Sequence, residues 1–96
     1  MNLLNIVKEN RDEILRIASQ HGASDVRIFG SVVRGEDTES SDIDLLVEFE
    51  KNRSLLDHAD MIIEMEDLLG CKVDVVTEPG LKERVKARVL TEAVPL

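Results

Sequence analysis

FGSVVRGEDTESSDIDLLVEF, residues 29–49, is the stretch from which the fold can be read. From residue 42 it runs Asp, Ile, Asp, Leu, Leu, Val, Glu, Phe. A strand has a side-chain period of two, so Asp42 and Asp44 point to one face. Ile43, Leu45 and Val47 point to the other, which must be the core. At ~4 Å and an effective dielectric of ~20, two such carboxylates repel by roughly 4 kcal/mol before screening. Either one of them keeps a proton or a divalent cation sits between them.

The residues just upstream favour the cation. Gly30-Ser31 follows an apolar strand, Val26-Arg27-Ile28-Phe29. Gly30 lets a ligand or a backbone approach closely. Ser31 is placed to cap a short helix over residues 31–38, and it offers a hydroxyl and backbone N–H groups to an anion. Arg34, one helical turn on, is positioned to pair with a phosphate. A phosphate cradle followed about ten residues later by paired carboxylates suits a nucleoside triphosphate carried with Mg²⁺.

Outward from this centre the chain reads as alternating elements. Residues 3–21 form one helix or two short ones, with Ile14, Ile17 and Ala18 on a stripe continued by Leu3, Leu4 and Val7, and Gly22 stops it. The first strand spans residues 25–29. Residues 36–41 are polar and read as an exposed loop. In that loop Asp37, Glu39, Ser41 and Glu48 superficially match a calcium loop, but Asp42 stands where glycine is needed. Ser54, with Asp57 three residues on, resembles a capping box opening a helix. Leu55, Ala59, Ile62, Met65 and Leu69 keep helical spacing, and Gly70 ends it. Residues 71–77 form a third strand and residues 81–93 a last helix, with Leu81, Val85 and Val89 on one face. Lys82, Arg84, Lys86 and Arg88 on that helix read as a solvated face, or as one that meets a nucleotide tail or an acidic partner.

Composition narrows the function classes. The 96 residues make one domain, 1–96, able to bury roughly 60–65% of its unfolded surface. The core is aliphatic, since there is no Trp or Tyr and Phe occurs only twice. A net charge of −8 lacks the basic footprint of non-specific nucleic-acid or anionic-membrane binding. A single cysteine, Cys71, cannot form an internal disulfide; it reads as a small buried hydrophobe. With no apolar leader and no run approaching ~20 apolar residues, the expected setting is a reducing cytoplasm with no membrane span. His21 and His58 read as structural residues rather than ligands.

The order Gly30-Ser31, Arg34, Asp42, Asp44 resembles the signature of the DNA polymerase β-like nucleotidyltransferase superfamily, G-S-x-x-R-G followed by S-D-I-D-L-L-V. More narrowly, the chain is similar to the minimal nucleotidyltransferases of bacteria and archaea over nearly its whole length. Val33 departs from the pattern, which often has Ala there. The resemblance implies an α/β (α+β) fold, a small mixed sheet flanked by helices of the polymerase β palm kind. It also supplies a third acidic residue. By itself, Asp74 in Lys72-Val73-Asp74-Val75-Val76 reads equally well as an ordinary edge residue. The resemblance makes it a metal ligand or general base.

The implied activity is transfer of AMP from ATP to a hydroxyl with two Mg²⁺ ions. Asp42, Asp44 and Asp74 are the catalytic and metal residues; Gly30, Ser31 and Arg34 bind the nucleotide. Minimal nucleotidyltransferases are commonly paired with a HEPN-domain protein in toxin–antitoxin modules. The implied partner is therefore a HEPN toxin that the chain neutralises by adenylylation, through residues 81–93 or the rim of the active site. The alternatives are a non-catalytic antitoxin that masks its partner by contact, and a subunit of an antibiotic nucleotidyltransferase.

Overall fold

The computed structural model describes residues 3–38 and 40–96. Glu39, in the expected loop at residues 36–41, lies outside the described residues. The first helical stretch is two helices, α1 (Leu3–Glu9) and α2 (Arg11–Gln20). Asn10 divides them, its side-chain Nδ2 donating to the Ile6 carbonyl at 2.8 Å. Asparagine often makes such local bonds in competition with the helical ladder. Val7 of α1 and Ile14, Ile17 and Ala18 of α2 are buried, as their spacing requires.

β1 (Ala23–Phe29) starts two residues before the strand expected over residues 25–29. A register irregularity lies between Ser24 and Arg27, where Asp25 takes φ 51°. Aspartate tolerates this left-handed conformation better than most residues. α3 (Ser31–Arg34) is a single turn, and β2 (Ile43–Phe49) follows the loop. α4 (Leu55–Leu69) opens with the expected bond from the Ser54 N–H to the Asp57 carboxylate, 3.3 Å, and closes on Gly70 in the left-handed conformation. β3 (Val73–Val76), a 3₁₀ turn (Glu78–Gly80), α5 (Glu83–Glu92) and the short β4 (Val94–Pro95) complete the chain.

The strands form one mixed sheet in the order β3-β2-β1-β4. β1 pairs antiparallel with β2 and β4; β2 and β3 are parallel, joined by α4. A parallel pair needs such a crossover, because no tight turn can reverse the chain twice. Ile43 and Leu45 of β2, Val73 and Val75 of β3, and Val26 and Ile28 of β1 face a core closed by α1, α2 and α4. No aromatic residue is fully buried; Met61 and Met65 fill the centre instead. The fold class expected from the sequence is the one observed.

The buried stripe of α4 differs from the expected one. Met61, Met65 and Leu69 are buried, whereas Leu55 is 83% exposed and Ala59 is exposed. A helix of 15 residues is roughly 22 Å long, and the four residues of β3 span roughly 13 Å. The first turn of α4 therefore overhangs the strand it covers. On the opposite sheet face, Leu46 is buried although it shares a face with Asp44. α5 is the element whose course can cover it. It leaves the β3 edge and delivers the chain to β4 at the other edge, a crossing of about 14 Å that a helix of ten residues, roughly 15 Å long, can span. Its Val89 is buried as well.

Candidate active site

The sheet register assembles the acidic residues. Asp44 and Asp74 are each the second residue of their strand, and they are direct neighbours across the parallel β2–β3 pair, alongside Ile43 and Val73. Ile43 and Val73 are buried on the core face, so both aspartates face the other way. Asp42 precedes β2 by one residue, is exposed, and lies two positions from Asp44 on the same face. The edge-residue reading of Asp74 is thus half right. It is exposed on an edge strand, and it still stands beside Asp44.

Across the antiparallel β1–β2 pair Asp44 lies opposite Phe29, so the next residue, Gly30, turns over its side chain. Gly30 has φ 86°, ψ −161°, a region essentially closed to residues with a Cβ. A Cβ here would also overlap Asp44 Oδ2. The glycine brings the backbone of the cradle against the carboxylate. Ser31 does not cap α3. Gly30 occupies the cap position and Ser31 is the first helical residue. In a single turn little macrodipole develops, so anion attraction falls to the individual N–H groups that have no carbonyl one turn back.

Arg34 ends α3 on the same side. Its guanidinium donates to Glu36 Oε1 at 2.7 Å and to Glu92 Oε1 at 2.5 Å. The other Glu92 oxygen accepts the Gly30 N–H at 2.8 Å. Hydrogen bonds to Glu36 and Glu92 raise the Arg34 pKa further. Burial alone would raise Glu92, but the bonds from Arg34 and Gly30 outweigh it and hold the carboxyl below its ordinary value. Sequence reasoning gave Glu92 no role. Its sole signal is tertiary, because 62 positions separate it from Gly30.

Asp44 is pushed up to about 6, first by burial and then by the negative charges of Asp74 and Asp42, with Arg34 pulling the other way. Among the described residues none of the three aspartates is tied up by a hydrogen bond or an ion pair within the protein. Nor do three acidic, imidazole or thiol groups converge into a ready-made metal cage among these residues. Like charges with nothing between them hold apart. An all-oxygen donor set with free lone pairs, one member of which is uncomfortable when ionised, fits a hard divalent cation such as Mg²⁺.

The remaining candidates have structural partners. His21 pairs with Glu64 and stands 3.6 Å from Asp57; His58 Nε2 lies 2.6 Å from the Val75 carbonyl and its ring sits 5.2 Å from that of Phe49. Cys71 is half-buried against the core, and burial raises its thiol pKa. A groove of ≈ 650 Å³ lined by Ser24, Phe49, Thr77, Pro79 and Lys86 lies at the far end of β2, away from the aspartates. The apolar face of α5 is turned inward, with Val89 buried and Val85 half-buried; Leu81, expected on this helix, precedes it and is half-buried too. The exposed large apolar residues of the helices are Leu55, Leu56 and Ile63 on α4. No described helix is long and apolar enough to cross a membrane.

This architecture recurs in known proteins. The family profile of a nucleotidyltransferase domain matches residues 7–96. A candidate protein adenylyltransferase of Methanocaldococcus jannaschii is 43% identical over 88 residues, 92% of this chain and 95% of that protein. The protein adenylyltransferase MntA of Thermococcus cleftensis is 41% identical over 78 residues, 81% of this chain and 79% of its own. Among solved structures, a candidate minimal nucleotidyltransferase superposes with a TM-score of 0.87 at 50% identity, covering 100% of this chain and 97% of that one. A toxin–antitoxin complex with AMP-PNP shares the fold at 19% identity, with a TM-score of 0.75 over 90% of this chain and 71% of that one. The fold is that of a minimal nucleotidyltransferase. The chain belongs to the nucleotidyltransferase domain family.

Proposed function

We propose that this protein is a Mg²⁺-dependent protein adenylyltransferase that moves AMP from ATP to a hydroxyl of a partner protein. We further propose that it is the antitoxin of a pair whose toxin is a HEPN-domain protein. The observation that carries the reading is the seating of Asp44 against Gly30 on one side and Asp74 on the other. Phosphate donors and metal-type carboxylates then share one end of the sheet. The names of the two relatives, both protein adenylyltransferases, support the choice of AMP and of a protein acceptor. The toxin partner follows from the resemblance of the Gly-Ser and Asp-x-Asp pattern to minimal nucleotidyltransferases. Residues 1–96 act as one domain in a reducing cytoplasm, consistent with a lone thiol.

In this reading Asp42 and Asp44 hold two cations, and Asp74 helps hold the second or takes the acceptor proton. Bound there, the cations neutralise the triphosphate and lower the pKa of the acceptor hydroxyl. The N–H groups of Gly30 and Ser31, with the Ser31 hydroxyl, cradle the β- and γ-phosphates. Arg34 stands beside the leaving group. The acceptor oxygen forms a bond to the α-phosphorus as the bond to the β-phosphate oxygen breaks, and pyrophosphate departs. Positioning and charge neutralisation supply most of the rate. The chain contains no tyrosine, so a tyrosine acceptor must lie on the partner.

The test is incubation with a HEPN-domain partner, labelled ATP and Mg²⁺. AMP should appear on the partner and its RNase activity should fall. The Asp42→Asn/Asp44→Asn double variant should add none. If that variant neutralises as well as wild type at substoichiometric amounts, transfer is not the mechanism. If it does so only at one-to-one, the chain is a masking antitoxin.

A further inference from the structure

Glu92 makes a contact that the proposed reaction does not use. One carboxylate oxygen accepts the Gly30 N–H at 2.8 Å and the other accepts Arg34 Nη1 at 2.5 Å. These two donors are the ones assigned above to the triphosphate. Carboxylate and phosphate are interchangeable partners for such a set, since both present paired anionic oxygens to a guanidinium and an N–H. The helix that carries Glu92 does not favour it there. Glu92 is the last residue of α5, where the macrodipole is negative and an acidic side chain is repelled. It also adds negative charge beside Asp44. The cradle, not the helix, holds this side chain in place, and it is 13% exposed.

We infer that Glu92 is a built-in competitor for phosphate, occupying the Gly30 and Arg34 donors in the nucleotide-free protein so that a polyphosphate must displace its carboxylate to bind. The inference rests on the nucleotide reading above. It sets the affinity and the selectivity of the cradle. A ligand with one weak anionic oxygen does not dislodge a bidentate carboxylate, whereas a polyphosphate engages Gly30, Ser31 and Arg34 together. If the carboxylate holds the donors in about nine molecules of ten, apparent affinity is reduced about tenfold.

The experiment is calorimetric titration of inorganic tripolyphosphate, in EDTA at fixed ionic strength, into wild type, Glu92→Gln and Glu92→Asp, with MgATP in EDTA-free buffer of the same ionic strength as a second titrant. Glu92→Gln removes the charge and keeps the shape. Glu92→Asp keeps the charge and withdraws the carboxylate by one methylene. Both should bind tripolyphosphate more tightly, Glu92→Gln by about tenfold and Glu92→Asp by at least about threefold. Tighter binding in Glu92→Gln alone would reduce the effect to general charge and overturn the competitor. Unchanged or weaker binding in both, with wild type still binding MgATP, would make Glu92 a brace for Arg34 and overturn the inference while leaving the adenylyltransferase reading intact. If no form binds either titrant at millimolar concentration, the nucleotide reading falls and the competitor with it.

Discussion

Removing the charge of Asp44 should stabilise the metal-free protein. Asp44 is pushed from its ordinary value of 3.8 to about 6 by burial and by Asp74 and Asp42. Fully converted, that rise is roughly 3 kcal/mol of disfavoured ionisation. Asp44 is only half-buried, so solvent screening brings it to about 1–2 kcal/mol. The sign follows from linkage. A carboxyl whose folded pKa is raised costs nothing below its unfolded pKa, and the cost grows as pH rises through the folded value of about 6. Asp44→Asn should therefore raise the urea midpoint at pH 8 in EDTA by roughly 1 M, taking a urea m-value of about 1–1.5 kcal/mol/M for a chain of this size. At pH 4.5 the gain should shrink to about a third. Transfer activity should be lost at every pH. Destabilisation by Asp44→Asn at pH 8, or a gain independent of pH, would mean that the Asp44 charge is not a cost to the fold and would give Asp44 a structural role.

Further outcomes follow from the same geometry. Saturating ATP with Mg²⁺, at about a hundred times its Kd, should stabilise the fold by roughly 2.7 kcal/mol, and ATP in EDTA by much less; equal thermal shifts would count against a metal-bridged triphosphate. Gly30→Ala should destabilise by about 2 kcal/mol or more in chemical denaturation, because it adds a strained φ to an overlap with Asp44 Oδ2, and it should abolish nucleotide binding. Asp74→Asn, exposed at the sheet edge, should keep most MgATP affinity and lose transfer, whereas Ser31→Ala should mainly weaken MgATP binding. Equal loss of binding in those two variants by calorimetry would undo the division of roles.

Much of the site was legible in residues 29–49 because its signals are local. The period-two alternation from Asp42 sets both aspartates on one face whatever the sheet around them does. Glycine before Ser31 marks a backbone position that few other residues can take, and φ 86° at Gly30 is the structural form of that signal. Helices α2 and α4 were readable for the same reason, since buried positions recur at helical spacing. The cap role given to Ser31 failed by one residue, because a glycine at this conformation can itself occupy the cap position.

Other features depend on which strands become neighbours, and no local signal carries that. Asp74 is one acidic residue in an apolar run until the parallel register sets it beside Asp44. Glu92 is one charge among several on a helix until α5 crosses the sheet and brings it to Gly30. Leu46 and Leu55 went the opposite way from their patterns for a related reason. Burial is decided by what lies overhead: Leu46 is buried on a sheet face that the course of α5 can cover, while Leu55 stays exposed among the described residues. Sequence alone thus determined the local conformation of the cradle and the carboxylate strand, which depends on φ, ψ and side-chain period. Tertiary structure decided which distant charges share that site, because register and helix crossings are set by the packing of the whole core.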